Sequence, residues 1–164
     1  YKMAKGYFLK IIALAIYAMA MAVVEAAVVV YLRKLYYPAG FDISSVADLT
    51  ALPWPILKIE LWREAATIVM LMAVSFLAFA DWRKKVAAFI LTFAVWDLGY
   101  YLFLYFFLKW PPSFTTMDVY FLIPWPWVGP VWIPIVLFSV LAVASLRWFY
   151  KIGENGPQSS SPNQ

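Results

Sequence analysis

The chain of 164 residues contains no cysteine and no histidine. Without cysteine it has no disulfide, no thiol nucleophile and no thiolate metal ligand. Without histidine it lacks the commonest transition-metal and haem ligand and the usual general base near neutral pH. Any chemistry therefore falls to carboxylates, Arg, Lys, Tyr, Ser or Thr. The sequence identifies no cofactor and leaves a bound metal unknown.

Charged residues are also scarce, at 13% of the chain, whereas 65% of the residues are hydrophobic and 20% are aromatic. The mean hydropathy is +0.78. Soluble domains are roughly half apolar and about a quarter charged. The composition therefore predicts an all-α integral membrane protein, with the lipid bilayer as its first partner. The net charge of +4 comes from Lys and Arg at the ends of apolar runs, so we expect no nucleic-acid partner.

The apolar runs predict four transmembrane helices in a single membrane domain, residues 1–152. We expect these helices at about 11–32, 56–80, 86–108 and 130–148. Residues 153–164 contain mostly Gly, Pro, Ser, Asn and Gln, which predicts a disordered tail.

The first apolar run has two interpretations. Lysines before an apolar run resemble a signal peptide, but a run of 22 residues is longer than an ordinary signal core. We therefore expect a retained helix. Small residues recur along it at helical spacing, at Ala15, Ala18, Ala22 and Ala26. Such a stripe lets another helix approach closely in lipid, so the neighbouring Glu25 should face protein.

Prolines and tryptophans alternate between the third and fourth helices. Four prolines in the eleven residues from Pro124 to Pro134 cannot continue one regular helix. Thr115 and Asp118 have the spacing of a capping box, which predicts a short helix through Ile123. We expect this segment to be an interfacial or re-entrant cover on the outer side, although an aromatic interface belt is the alternative. The residues expected in the cover are Trp110, Asp118, Trp125 and Trp127.

The distribution of Lys and Arg predicts the orientation in the membrane. Eight of the 13 cations lie on one predicted side, at Lys2, Lys5, Lys10, Arg83, Lys84, Lys85, Arg147 and Lys151. The positive-inside rule then puts both termini in the cytoplasm. We expect a bacterial or archaeal inner or plasma membrane.

Charged residues inside the apolar runs mark a candidate polar cluster. Counting a rise of about 1.5 Å per residue puts Glu25, Arg63, Glu64 and Asp97 within a band of about 10 Å in depth. Glu60 lies one turn above Glu64, at the expected entrance. The predicted cluster is therefore Glu25, Glu60, Arg63, Glu64 and Asp97, with Thr67, Tyr100 and Tyr101 as supporting hydroxyls.

Burial of these charges has to be compensated, because an isolated ionised side chain near mid-membrane costs at least about 2.5–3.5 kcal/mol. We expect Arg63 to form a buried pair with Glu64. The remaining acids must be protonated, hydrogen-bonded, hydrated by water in a cavity or paired with a bound cation. The cluster is thus either a structural lock between helices, a proton or cation site, or a contact with another subunit.

Three classes of function fit these features. The first is a non-catalytic accessory subunit of a larger membrane complex, in which the acidic/Arg cluster locks the helices. The alternative is a small transporter or channel with a proton- or cation-binding carboxylate site. A lipid-active enzyme ranks third, because no nucleophile–base pair is legible. The aromatic run 100–107 predicts contact with lipid, other membrane subunits or a second copy, and a quinone or pigment could pack there.

Overall fold

The computed structural model describes residues 2–154. Within this range the order is helix α1 (Lys2–Tyr36), a short 3₁₀ helix (Val46–Ala51), α2 (Trp54–Ala78), α3 (Trp82–Leu108), strand β1 (Met117–Phe121), strand β2 (Trp127–Pro130) and α4 (Trp132–Glu154). The four α-helices are each long and apolar enough to cross a membrane. They fit an integral membrane protein. Most of the predicted tail, residues 155–164, lies outside the described residues.

The helix ends follow from local sequence. Pro55 occupies the first turn of α2, where its missing N–H is not needed. The Asp81 side chain caps α3 by accepting a hydrogen bond from the Lys84 amide at 3.0 Å. At the other end of α3, Lys109 adopts a left-handed conformation and its N–H bonds the Tyr105 carbonyl at 2.9 Å. This geometry terminates a helix.

Helix α3 is the centre of the bundle and packs against α1, α2 and α4. The small-residue stripe of α1 faces it, and Ala18, Ala22 and Ala26 are fully buried. A Cβ atom built on Gly99 of α3 would lie only 2.8 Å from the Ala22 Cβ. The two backbones can therefore approach this closely only because neither position carries a larger side chain.

Helices α2 and α3 are joined by a buried hydroxyl pair. The Ser75 and Thr92 hydroxyls lie 3.0 Å apart, and each also lies within hydrogen-bond distance of a carbonyl of its own helix. Both residues are fully buried. Every hydroxyl in this contact is thus satisfied, as an apolar environment requires.

The segment between α3 and α4 forms a β-hairpin, so the short helix expected through Ile123 is wrong. β1 pairs with β2 antiparallel, with Asp118 opposite Gly129 and Met117 opposite Pro130. Aromatic and β-branched residues favour a strand once a partner is present. The chain is therefore mostly helical rather than purely α. Pro130 ends β2 instead of opening the fourth helix, which begins at Trp132.

Substituting Gly99 tests the close approach of α1 and α3. Gly99→Ala should lower the free energy of unfolding by about 1–3 kcal/mol, because the added methyl group overpacks against Ala22. Gly6→Ala is the matched control, since Gly6 lies in α1 with no atom near its built Cβ. Thermal unfolding in detergent, followed by size-exclusion profiles, measures both. Equal stability of the two variants would contradict this packing.

Candidate functional site

A cavity of about 110 Å³ lies between α1, the 3₁₀ segment, α2, α3 and the hairpin. All five residues of the predicted cluster line it, and two further charged residues join them. The charged residues around the cavity are Glu25, Arg33, Glu60, Arg63, Glu64, Asp97 and Asp118. The cavity is therefore the meeting point of nearly all the charge that this bundle buries.

Arg63 is held between two carboxylates. Its Nη1 forms an ion pair with Glu25 of α1, and its Nε and Nη2 donate to Glu60 Oε2 at 2.9 and 2.6 Å. The expected Arg63–Glu64 pair is wrong, because adjacent residues on a helix do not face each other whereas residues three apart do. Glu60 is accordingly a buried partner of Arg63, with 5% of its surface exposed, rather than a free entrance.

Glu64 binds the hairpin instead. Its carboxylate accepts the Leu122 amide at 2.8 Å and the Ile123 amide at 3.2 Å. Hydrogen bonds from N–H groups to an ionised carboxylate are among the stronger ones in proteins. The Glu64 side chain therefore anchors the end of β1 to α2.

A second ion pair joins α1 to the hairpin. Arg33 Nη2 donates to Asp118 Oδ1 at 3.1 Å, and the Tyr101 hydroxyl donates to Asp118 Oδ2 at 3.1 Å. The Arg33 guanidinium also packs against two rings, 3.8 Å from the centroids of both Phe41 and Trp110, which contact each other edge to face. Arg33 is thus compensated by one carboxylate and two aromatic faces.

Sequence reasoning missed Arg33, which looks like an ordinary cation at the end of a membrane helix. The small-residue stripe of α1 did contain a sequence signal for the burial of Arg33. Continuing from Ala26 through Val30 at helical spacing reaches Arg33, and all three residues are buried. The stripe therefore predicts an inward-facing arginine at the end of α1.

The supporting hydroxyls have separate roles. The Thr67 hydroxyl lies 3.4 Å from Glu25 Oε2 and 3.1 Å from the Arg63 carbonyl oxygen. Tyr101 binds Asp118 as described, and Tyr100 lines the cavity with its ring perpendicular to that of Tyr101. Only Thr67 therefore contacts an acid of the predicted cluster directly.

The four residues expected in the cover divide into two groups. Trp110 and Asp118 are buried against Arg33. Trp125 and Trp127 are exposed, and their rings stack with centroids 6.3 Å apart. The hairpin is thus a wall of the cavity on one side and presents a pair of tryptophans on the other.

Asp97 differs from the other acids of the cavity because it has neither an ion pair nor a side-chain hydrogen bond among the described residues, whereas Glu64, which also lacks an ion pair, accepts two amides. Its side chain is only 5% exposed, and its Oδ2 is buried without a hydrogen-bond partner there. The indole Nε1 of the neighbouring Trp96 is likewise buried and unpartnered. Both residues line the cavity. Buried polar atoms without hydrogen-bond partners are rare, so these two atoms require a partner that the described residues do not supply.

The carboxylates of the described residues do not form a compact metal site. No group of three or more Asp and Glu side chains there is arranged to hold a metal ion. Calcium takes six to eight oxygen ligands. The arrangement thus provides two compensated arginines, an anchored Glu64 and one carboxylate that remains available.

Comparisons with protein-family models, with curated proteins and with solved structures find no match for this chain.

Removing Arg63 should destabilise the protein by about 3–5 kcal/mol, because it leaves two buried carboxylates unpaired. Arg63→Leu combined with Glu25→Gln and Glu60→Gln should recover most of this loss. Arg63→Leu with Glu64→Gln is the matched control and should recover little, since Glu64 binds hairpin amides. Membrane accumulation and thermal unfolding measure the series. Equal rescue by the two combinations would contradict the pairing.

Burial raises the pKa of the Asp118 carboxyl from 3.8 to about 6, against the opposing effect of Arg33. The folded state therefore holds this proton more tightly than the unfolded state, and the resulting stability is lost as pH rises through the folded pKa. The unfolding temperature of the wild type, relative to Asp118→Asn, should fall as pH rises from about 4 to about 6, between the unfolded and folded pKa values, and should level off above the folded pKa. A difference independent of pH would contradict this.

Proposed function

We propose that this protein is a small membrane transporter or channel in which Asp97 binds a proton or a monovalent cation. The observation that carries the proposal is the buried, unpartnered carboxylate of Asp97 at the wall of a cavity. The paired residues around it form a frame that keeps the cavity open and negatively charged.

The charges around the cavity support this proposal. Five carboxylates and two guanidinium groups line it, so the formal charge is 2 − 5 = −3 when all are ionised. Arg63 and Arg33 compensate their partners, and two amides stabilise Glu64. Asp97 remains. Because an uncompensated charge in a membrane is costly, Asp97 is favoured to take up a proton or a cation.

The geometry favours a monovalent species. A divalent ion prefers several carboxylate or carbonyl oxygens around one point, and the described residues supply no such group. One free carboxylate matches one positive charge. The cavity also exceeds the roughly 10–15 Å³ that a single water needs, so it has room for a hydrated or polyatomic ligand.

We further propose that the hairpin lies on the outer side of the membrane, with both termini in the cytoplasm, as the Lys and Arg distribution predicts. The ligand would then reach Asp97 past the hairpin. Four helices enclose little pathway, so transport would require association with a second copy of this chain.

An accessory subunit of a larger complex is the second candidate. It is favoured by the polar links, since Arg63–Glu25, Arg33–Asp118 and Glu64–Leu122 each join different segments of the fold. Gentle extraction separates the candidates. A homogeneous species of this chain alone supports the transporter and removes the accessory subunit, whereas a stable heteromeric complex supports the subunit.

Asp97→Asn tests the transporter directly. In proteoliposomes carrying a pH-sensitive dye or a cation indicator, it should lower flux at least tenfold, since it removes the only free carboxylate of the proposed site (about 1.4 kcal/mol per factor of ten). It should leave thermal stability unchanged or higher, because no partner loses its charge. Equal flux in wild type and Asp97→Asn would contradict the proposal.

The control is Asp81→Asn, which makes the same chemical change at the start of the same helix. Asn caps a helix about as well as Asp, and Asp81 does not line the cavity. Its flux and stability should match the wild type. A loss of flux with Asp97→Asn accompanied by loss of folding would assign Asp97 to the structural lock.

A further inference from the structure

The cavity leaves donors as well as an acceptor without partners. Among the described residues, Asp97 Oδ2 is the unpartnered acceptor. Apart from Arg63 Nη1, which forms the ion pair with Glu25, the donors without hydrogen-bond partners are Trp96 Nε1 and the Arg33 Nε and Nη1 groups. Asp97, Trp96 and Arg33 are all at least nine-tenths buried and line the same cavity. A ligand that satisfied them all would need a positive donor and an oxygen acceptor in one molecule.

From this arrangement, which rests on the proposed function, we infer that the site binds a small primary-ammonium compound that also carries an oxygen acceptor. The ammonium would donate to Asp97, and the oxygen would accept from Trp96 Nε1 or Arg33. Amino alcohols, amino acids and the ethanolamine headgroup of a phospholipid share this chemistry.

The aromatic wall supports an organic cation. Seven aromatic residues line the cavity besides the charged groups: Tyr37, Phe41, Trp96, Tyr100, Tyr101, Tyr120 and Phe121. A cation over an aromatic face is stabilised by the negative face of the ring. The cavity wall already shows such a contact, because the Arg33 guanidinium lies 3.8 Å from the centroid of Phe41, and both residues line the cavity.

Simpler ligands fit less well. A proton would neutralise Asp97 but would leave Trp96 Nε1 and the Arg33 donors without acceptors. A metal ion would offer no acceptor to these donors and would find no cluster of three carboxylates in the described part of the chain. An anion would face five carboxylates.

The binding experiment uses purified wild-type protein in amine-free buffer with three matched probes. Ethanolamine carries both groups, ethylene glycol lacks the cation, and propylamine lacks the oxygen acceptor. Saturation-transfer NMR and thermal-shift measurements should show that ethanolamine binds and that ethylene glycol does not. Propylamine should bind at least about tenfold more weakly, since a buried donor then stays unpaired. Equal effects of ethanolamine and ethylene glycol would overturn the inference.

Two variants assign the contacts. Asp97→Asn should abolish ethanolamine binding. Trp96→Phe keeps an aromatic ring but removes the indole N–H, so it should weaken ethanolamine about tenfold while leaving propylamine unchanged. Without ligand, each variant should unfold at or above the wild-type temperature, which shows that a loss of binding is not a loss of folding. A Trp96→Phe protein that distinguishes the two amines as well as the wild type would remove Trp96 from the site.

The source of the ligand is tested in lipid. Stabilisation by soluble ethanolamine identifies a free solute. Stabilisation in phosphatidylethanolamine nanodiscs relative to phosphatidylcholine nanodiscs, without an effect of soluble ethanolamine, identifies a headgroup, because choline has no N–H to donate. No effect in either arm overturns the inference. If the flux still depends on Asp97 in that case, the proposed function survives; if flux is independent of Asp97, the proposed function fails separately.

Discussion

Compensation of buried charge is the constraint on which this structure depends. A membrane-embedded guanidinium or carboxylate is stable only with a partner, a proton or water. Arg63 meets this requirement by joining Glu25 to Glu60, and Arg33 meets it with Asp118 and two aromatic rings. These contacts link α1 to α2 and α1 to the hairpin. The position of each segment around the cavity follows from them.

The hairpin belongs to the site rather than lying over it as an independent loop. It contributes Asp118 to one ion pair, and the amides that follow β1 bind Glu64. Tyr101 of α3 completes the contact by donating to Asp118. Movement of the hairpin would therefore break polar contacts with three helices at once.

Asp97 is the exception among the carboxylates that line the cavity. Helix α3 brings it to the wall between segments that pack closely through small residues such as Ala22 and Gly99. Its neighbours satisfy each other and leave its carboxylate and the Trp96 indole unpartnered. A rigid frame with a free acceptor, free donors and aromatic walls is the general form of a site for a small polar ligand.

The four long apolar helices could be predicted from the sequence, because in lipid such a run satisfies its backbone N–H and C=O groups by forming a helix. The sequence also pointed to Glu25, Glu60, Arg63, Glu64 and Asp97, since the cost of burying charge makes their convergence favourable. The Arg63–Glu60 contact was readable from a spacing of three residues. Tertiary structure alone decided the rest. Residues 117–121 form a strand because residues 127–130 lie beside them. Glu64 binds the hairpin amides, and Asp97 has no partner among the described residues. Neither outcome could be predicted from the sequence, because the partner of a buried charge depends on distances between segments far apart in the chain.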